Sequence, residues 1–343
     1  MRRPNDKFIA GLDLHSNNVM IGVINQEGKR VAHRKLECDL KAVTEFLKPL
    51  KPQLQSMAVE STFNWYWLVD GLMDAGYRVH LANPNAMQQY DGLKATDDRS
   101  DARWLAHMLR LGLLPEGHIY PREQRALRDL LRKRGRLVQQ RTANLVSLKN
   151  LVHRNTGQRL SAATLREQDF TGLESGDSKG NRTLALESTR RVVECLDGEI
   201  KRLEQAILGQ LRPDPSLRLL KTVAGVGDVL ASTIRLETGE ISRFPSAGHY
   251  ASYCRSVGSQ HRSNGKPKGK GNRKNGNPYL AWAYVEAAHF AIRYHKPVRR
   301  YYERKQARTH RVVALKAVAH KLARAGFHVM REQVPFQIQR AFG

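Results

Sequence analysis

The chain has 343 residues, with 58 Lys and Arg against 32 Asp and Glu and a formal net charge of +26. That length implies two or three domains, each burying its own core. Self-repulsion at this charge is tolerable mainly with a polyanionic partner, nucleic acid first. No segment approaches the roughly 20 apolar residues of a membrane span, and Met1-Arg2-Arg3-Pro4-Asn5-Asp6 does not read as a signal peptide. Three isolated cysteines, Cys38, Cys195 and Cys254, make neither a metal spacing nor an even disulfide set. A reducing, cytoplasmic, nucleoid-associated setting is expected, with no membrane partner.

Phe8 to Leu14 reads as a buried strand ending around His15. Val19 to Ile24 reads as a second, and Lys29 to Leu36 as a third after the turn Gln26-Glu27-Gly28. Leu40, Val43 and Leu47 mark a short helix closed by Pro49 and Pro52. Gln55 to Val59 is a fourth strand ending at Glu60, Asn64 to Ala75 a helix stopped by Gly76, and Arg78 to Ala82 a fifth strand. Pro84 to Tyr90 is a short helix. Leu105, Ala106 and Leu109 then place another helix from Asp97 to about Leu111. Three strands on tight turns, followed by alternating helix and strand, predict a mixed sheet with helices on its faces.

Four acids in this region carry the chemistry. Asp98 and Asp101 are i and i+3 and project from one side of the last helix's first turn. Acids there also cap free N–H groups and complement the helix dipole. Asp13 stands inside the apolar run Gly11-Leu12-Asp13-Leu14, and Glu60 closes the fourth strand. Singly, Asp13 is a strand-end turn residue and Glu60 a cap before the helix at Asn64. Together they point to a metal site, because a carboxylate inside a strand is costly unless paired or metal-bound. Four carboxylates in one cleft repel by about 4 kcal/mol per pair at ~4 Å. Mg²⁺, with Mn²⁺ able to substitute, relieves this and keeps waters for substrate phosphates. Two such ions can serve both the attacking and leaving oxygens of a phosphodiester. Asp97 is the alternative to Asp98 as third ligand. His15 is close enough to assist, its plainer reading being a solvated turn residue. The element order, with these acids in these places, resembles the ribonuclease H-like fold of the RuvC Holliday-junction resolvase. The resemblance implies that the first and fourth strands are neighbours, with Asp13 beside Glu60.

Arg122 to Arg159 holds eleven Lys and Arg against two acids, with Leu127, Leu131, Val138, Leu145, Leu148 and Val152 at near-heptad spacing. This predicts a long helix with one packed stripe and one basic face, which is either a solvated surface or a phosphate track, the latter favoured by the charge. Thr156 to Arg182 is poor in apolar residues and reads as a loop or mobile insert. Val193, Leu196, Ile200, Leu203 and Ile207 follow at 3-4 spacing, a short coiled-coil seam with an intersubunit role favoured for part of it.

Leu220-Lys221-Thr222-Val223-Ala224-Gly225-Val226-Gly227, with Ala231 and Ile234 beyond, resembles a helix–hairpin–helix whose turn can hold a phosphate. Such a hairpin also serves as a plain packing unit. Ser259 to Asn277 has six Lys and Arg, four Gly and no acid, and is expected to be a flexible basic loop suited to close approach to a phosphodiester. On chemistry alone Ser242, Ser246, Ser252, Ser256, Ser259 and Ser263 all compete as nucleophiles there. Helices are expected near Val298 to Arg308 and Arg311 to Ala325.

The acidic ribonuclease H-like region, the coiled coil, Gly225-Val226-Gly227, Arg243-Phe244-Pro245-Ser246-Ala247 and the loop Ser263-Asn264-Gly265 together resemble the bacterial DEDD insertion-sequence transposases. These are bridge-RNA-guided recombinases, and the likeness is to the branch with an Asn-Gly loop. The resemblance implies that Asp13, Glu60, Asp98 and Asp101 are the tetrad and Ser263 the nucleophile, forming a phosphoserine link that strand exchange reverses. It further implies guide RNA, donor DNA and target DNA as partners, and a dimer assembling to a tetramer. The domains expected are 1–120, RuvC-like; 121–215, basic helix, insert and coiled coil; and 216–343, a mostly helical transposase domain carrying the serine. The alternative is a Mg²⁺-dependent, structure-selective DNA endonuclease of Holliday-junction resolvase type using water. A nucleic-acid-binding scaffold would explain the charge but not the acids.

Overall fold

The computed structural model describes residues 7–87, 90, 98–167, 170, 180–258, 260–270 and 275–343, with backbone alone at 98–100, 260–263 and 267–270. Asp97 and Ser259 therefore lie outside the described residues. The chain divides into two compact units, one within 1–122 and one built mainly from 123–343.

The first unit holds β1 (Phe8–Leu14), β2 (Asn18–Asn25), β3 (Arg30–Glu37), β4 (Leu54–Glu60) and β5 (Val79–Ala82) in the order β3-β2-β1-β4-β5. The first three run antiparallel, while β1–β4 and β4–β5 are parallel pairs. The first and fourth strands are neighbours, as the resemblance to the ribonuclease H-like fold implies. Residue alternation gives the sheet two distinct faces. Ala10, Leu12, Leu14, Val19, Ile21, Val23, Met57 and Val59 share a core with residues of α1 (Leu40–Leu47) and α2 (Tyr66–Asp74). Ile9, Ile24 and Ala58 face the other way, toward Leu105 and Ala106 of α4 (Asp98–Arg110). The short α3 (Pro84–Met87) precedes α4.

A close approach of α4 to β1 fixes this second layer. A Cβ on Gly11 would stand 1.9 Å from the Ala102 carbonyl oxygen and 2.7 Å from the Ala106 nitrogen, and one on Gly22 would stand 3.1 Å from the Arg103 nitrogen. Arg103 and Arg110 also donate to the carbonyls of Gly28 and Gln26 in the β2–β3 turn, at 3.2 and 2.9 Å.

The second unit begins with α5 (Arg122–Thr156), then α6 (Ala162–Glu167) and α7 (Asn181–Leu211). Arg134 pairs with Glu204 and Arg141 with Asp197, while Leu131 shares a core with Ile207 and Val152 with Leu186. Each pair advances on α5 as it retreats on α7, so the two helices run antiparallel within one chain. The buried row of α7, Leu186, Val193, Ile200 and Ile207, repeats every seven residues, a coiled-coil period. The expected loop at 156–182 is partly helical: α6 buries Leu165 beside Phe170, and its Arg166 donates to Asp197 at 2.9 Å. One buried leucine per short helix is too little periodicity to read from sequence.

The remainder packs α8 (Pro215–Leu220), α9 (Asp228–Thr238), α10 (Ala247–Tyr253), α11 (Pro278–Tyr294), α12 (Lys296–Gln306), α13 (Arg311–Glu332) and α14 (Ile338–Phe342) around one core. Gly225, at φ +78°, would place a Cβ 2.1 Å from the Ala287 carbonyl oxygen of α11. Lys221 pairs with Asp228 in the first turn of α9 at 2.6 Å. The Gly225-Val226-Gly227 turn thus has a packing role, and an acid already occupies the helix start. Among the described residues, no helix is long and apolar enough to cross a membrane.

Gly11→Ala is expected to cost at least about 1–3 kcal/mol, since the obstruction is backbone rather than a movable side chain. Gly198→Ala, in α7 with nothing within 4 Å of the added Cβ, should instead stabilise by about 0.5–1 kcal/mol. Urea denaturation of the two variants measures both signs.

Candidate active site

Asp13 lies within β1, paired with Met20 of β2, and is 3 % exposed. It is therefore no turn residue. Leu12 pairs with Val59, so Asp13 and Glu60 each follow a paired residue on adjacent parallel strands. By alternation both belong to the α4 face, since Leu12 and Val59 face the α1 and α2 side. Glu60 is the last residue of β4 and does not cap α2, whose N-cap position is Trp65. The two strand ends are tied together beyond the acids: Asn64 Nδ2 donates to the His15 carbonyl at 3.1 Å, and Thr62 Oγ1 donates to Asn64 Oδ1 at 2.9 Å.

Asp101 sits half-buried in α4, immediately before Ala102, whose carbonyl presses on Gly11. Asp98 is the first residue of the same helix, its side chain outside the described set. Asp13, Glu60 and the first turn of α4 thus come from three elements meeting on one face of the sheet. His15 Nε2 lies 3.2 Å from Asp13 Oδ2, yet both atoms are buried without a hydrogen-bond partner. The ring lies beside the acid while the side chain stays 37 % exposed, so the assisting and the solvated-turn readings of this histidine each hold in part.

A buried carboxylate oxygen that makes no hydrogen bond beyond its contact with the His15 ring suits an oxygen-seeking cation such as Mg²⁺. Among the described residues, no group of three or more His, Cys, Asp or Glu side chains is gathered closely enough to hold an ion. Phe63, three residues after Glu60, is 86 % exposed, an aromatic the sequence reading passed over.

Ser263 ends β6 (Gln260–Ser263), which pairs antiparallel with β7 (Lys266–Lys270). Asn264 and Gly265, at φ 50° and 73°, make the two-residue connection, the backbone signature of a type I′ hairpin. The expected flexible loop is therefore a basic hairpin with Ser263 at its turn, paired with Lys266. Asn-Gly was the available signal, and the surrounding glycines and lysines obscured it.

The foot of this hairpin is anchored. Arg255 donates through Nε and Nη2 to the Gly276 carbonyl at 3.2 and 3.0 Å, and the Asn277 amide donates to the Tyr253 carbonyl at 2.6 Å. Asn277 Oδ1 caps α11 by accepting from the amides of Tyr279 and Leu280, while its Nδ2 donates to Glu237 Oε2 at 2.8 Å. Glu237, fully buried in α9, also receives Arg132 at 2.7 and 2.9 Å and Arg128 at 3.1 Å, both from α5. Burial pushes its carboxyl up, but Arg132, Arg128 and Asn277 together outweigh that and hold it below the ordinary glutamate range. No motif announced Glu237, because its partners lie far from it in sequence.

The same pairs change the reading of the basic helix. Arg128 and Arg132 serve Glu237, Arg134 serves Glu204 and Arg141 serves Asp197. Lys133, Arg136, Lys149 and Arg154 remain exposed. Of the competing serines, Ser246 is the N-cap of α10 and Ser256 donates to the Ala251 carbonyl at 2.8 Å.

Since the carboxyl of Glu237 is held down in the folded chain, its contribution is complete above the ordinary glutamate range. That contribution is lost as pH falls through the depressed value. Glu237→Gln, leaving two arginines partly uncompensated, is expected to cost about 3–5 kcal/mol and to flatten the acid limb of stability against pH. Urea midpoints across that limb test both.

Known proteins resemble the chain along most of its length. A model described as "Transposase", of DEDD type, matches residues 10–155, and one described as "Transposase IS116/IS110/IS902 family" matches 217–303. A probable family 20 transposase of Pseudomonas aeruginosa is 24% identical over 82% of this chain and 83% of its own. A transposase for insertion sequence element IS1111A of Coxiella burnetii is 23% identical over 86% and 80%. Among solved structures, T. thermophilus RuvC in complex with a Holliday junction substrate is 17% identical, covers 32% of this chain and 99% of that one, and has a TM-score of 0.26. That last likeness is too slight to carry an argument. Residues 10–155 and 217–303 thus carry, in order along one chain, two domains of the kind found in IS110-family transposases.

Proposed function

We propose that this chain is a transposase and RNA-guided DNA recombinase in which Asp13, Glu60, Asp98 and Asp101 hold divalent ions and Ser263 is the nucleophile. The observation that supports it most is the buried Asp13 Oδ2, which makes only a 3.2 Å ion-pair contact with the His15 ring and lies on the sheet face shared with Glu60 and the start of α4. When bound, Mg²⁺ or Mn²⁺ would neutralise phosphate charge and acidify an attacking hydroxyl. The rest falls to the chain. Ser263 Oγ attacks phosphorus and gives up its proton to solvent, one phosphorus–oxygen bond to a deoxyribose breaks, and the sugar leaves as a hydroxyl. A sugar hydroxyl of the exchanged strand then attacks the phosphoserine, restoring a phosphodiester and releasing the serine. The anchored foot, from Arg255 to Gly276 and Asn277 to Glu237, holds the root of the hairpin while its tip enters the DNA. His15 orients Asp13. A guide RNA selects donor and target DNA, and a dimer assembling to a tetramer brings the strands together.

Denaturing gels of guide RNA, matched DNA and Mg²⁺ with the full chain test the chemistry. A protein–DNA adduct that Ser263→Ala abolishes is expected. Free cleaved ends surviving Ser263→Ala would replace the serine mechanism by a water-using nuclease. Asp13→Asn and Glu60→Gln should each reduce cleavage at least about 100-fold, the scale of losing a transition-state charge stabiliser, while thermal melting shows a folded chain.

A further inference from the structure

Helix α11 is built inside out. Its buried face carries Ala283, Ala287, Ala288 and Ala291 with Leu280 and Tyr284. Small residues are required there, because Gly225 sits against the Ala287 carbonyl and Gly326 of α13 against the Tyr284 hydroxyl. Large side chains are displaced to the outer face: Tyr279, Trp282, Phe290 and Tyr294 are 39, 45, 47 and 64 % exposed. At 100° per residue these four fall within about 120° of one another, with Glu286, His289 and Arg293 between them. Such a run of aromatics is uncommon on a free surface and marks a contact.

The setting of the stripe is cationic. The Arg132 guanidinium lies 4.5 Å from the Tyr279 ring centre and that of Arg293 lies 5.3 Å from the Tyr294 ring centre. Arg299 of α12 is fastened to the end of α11, donating to the Ile292 and Arg293 carbonyls. Along α12, which packs on α11, Lys296, Arg299, Arg300, Arg304 and Lys305 are exposed against the single acid Glu303. A second copy meeting this face would set Arg293, Lys296 and Arg299 near their own duplicates, a repulsive arrangement. Aromatic rings interleaved with cations fit a polyanion that also offers flat rings.

We infer that the outer face of α11, with α12 beside it, binds an unpaired nucleic-acid strand, bases stacking on Trp282 and Phe290 and phosphates following Arg293 and α12. The site begins two residues after Asn277, at the foot of the serine hairpin, so it would hold a strand close to where the hairpin is rooted. Glu286 is the one acid on the stripe and sets a point that phosphates avoid. The inference concerns strand binding and stands whether or not Ser263 is the nucleophile.

The test is fluorescence anisotropy of the full chain with labelled strands, with divalent ions chelated so that no cleavage occurs. Poly-deoxythymidine, poly-uridine and an abasic strand of equal length are compared on wild type and on Trp282→Ala/Phe290→Ala. Each ring is expected to contribute at least about fivefold, so the double variant should bind base-bearing strands about 25-fold more weakly or worse. Abasic binding and the salt slope should hardly change. Trp282→Phe should retain most of the affinity. A loss confined to DNA or to RNA identifies which strand the face takes. Equal binding of base-bearing strands by wild type and the double variant would overturn the inference. So would a loss of self-association in sedimentation with strand affinity unchanged, which would assign the face to a protein contact.

Discussion

The closeness of α4 to β1 is the constraint on which the acidic site rests. Only hydrogen fits at Gly11 when the Ala102 carbonyl would meet a Cβ at 1.9 Å. That seating brings the first turn of α4, and Asp101 with it, onto the face reached by Asp13 and Glu60. Parallel pairing of β1 with β4 supplies the other half of the geometry, because register decides which two acids become neighbours. The second unit uses the same device. Gly225 against Ala287 and Gly326 against Tyr284 pull α11 into the core, which commits its inner face to alanine and leaves its aromatics outside.

Charge is divided between two uses. Arg128, Arg132, Arg134 and Arg141 hold helices to one another through Glu237, Glu204 and Asp197. Those pairs set the antiparallel register of α5 and α7 and root the hairpin through Asn277. In such a buried network, removing one partner is costly because it leaves the others uncompensated. Among the described residues, Lys266 on the hairpin and Lys296, Arg299, Arg300, Arg304 and Lys305 along α12 stay at the surface, where they can meet a polyanion. Burial pushes the Cys254 thiol far up, so it packs as an apolar residue and carries no reactive chemistry.

The elements of the first unit were largely legible because strands and helices there have clear periods and Gly or Pro at their ends. Asp13 stood out as a charge inside an apolar strand, and its burial follows from that position. The seam at Val193, Ile200 and Ile207 was equally plain, but whether a helix pairs with its own chain or another is invisible to periodicity. Here α5 of the same chain covers it. Long-range partners were also invisible: Glu237 looked like an ordinary residue in an amphipathic helix until Arg132 and Asn277 arrived from distant segments. His15 stayed between two readings for the same reason, since a turn's path decides how far a ring faces water and how far an acid. The basic hairpin shows a strong local signal, Asn264-Gly265, hidden by composition.

The central claim is that the carboxylates on the α4 face of the first sheet hold divalent ions. Titrating the full chain with Mn²⁺, and following free ion by electron paramagnetic resonance, reads this without DNA or cleavage. The account predicts uptake by the wild type that is lost in Asp13→Asn while circular dichroism and melting stay unchanged. Equal Mn²⁺ uptake by both proteins would contradict it.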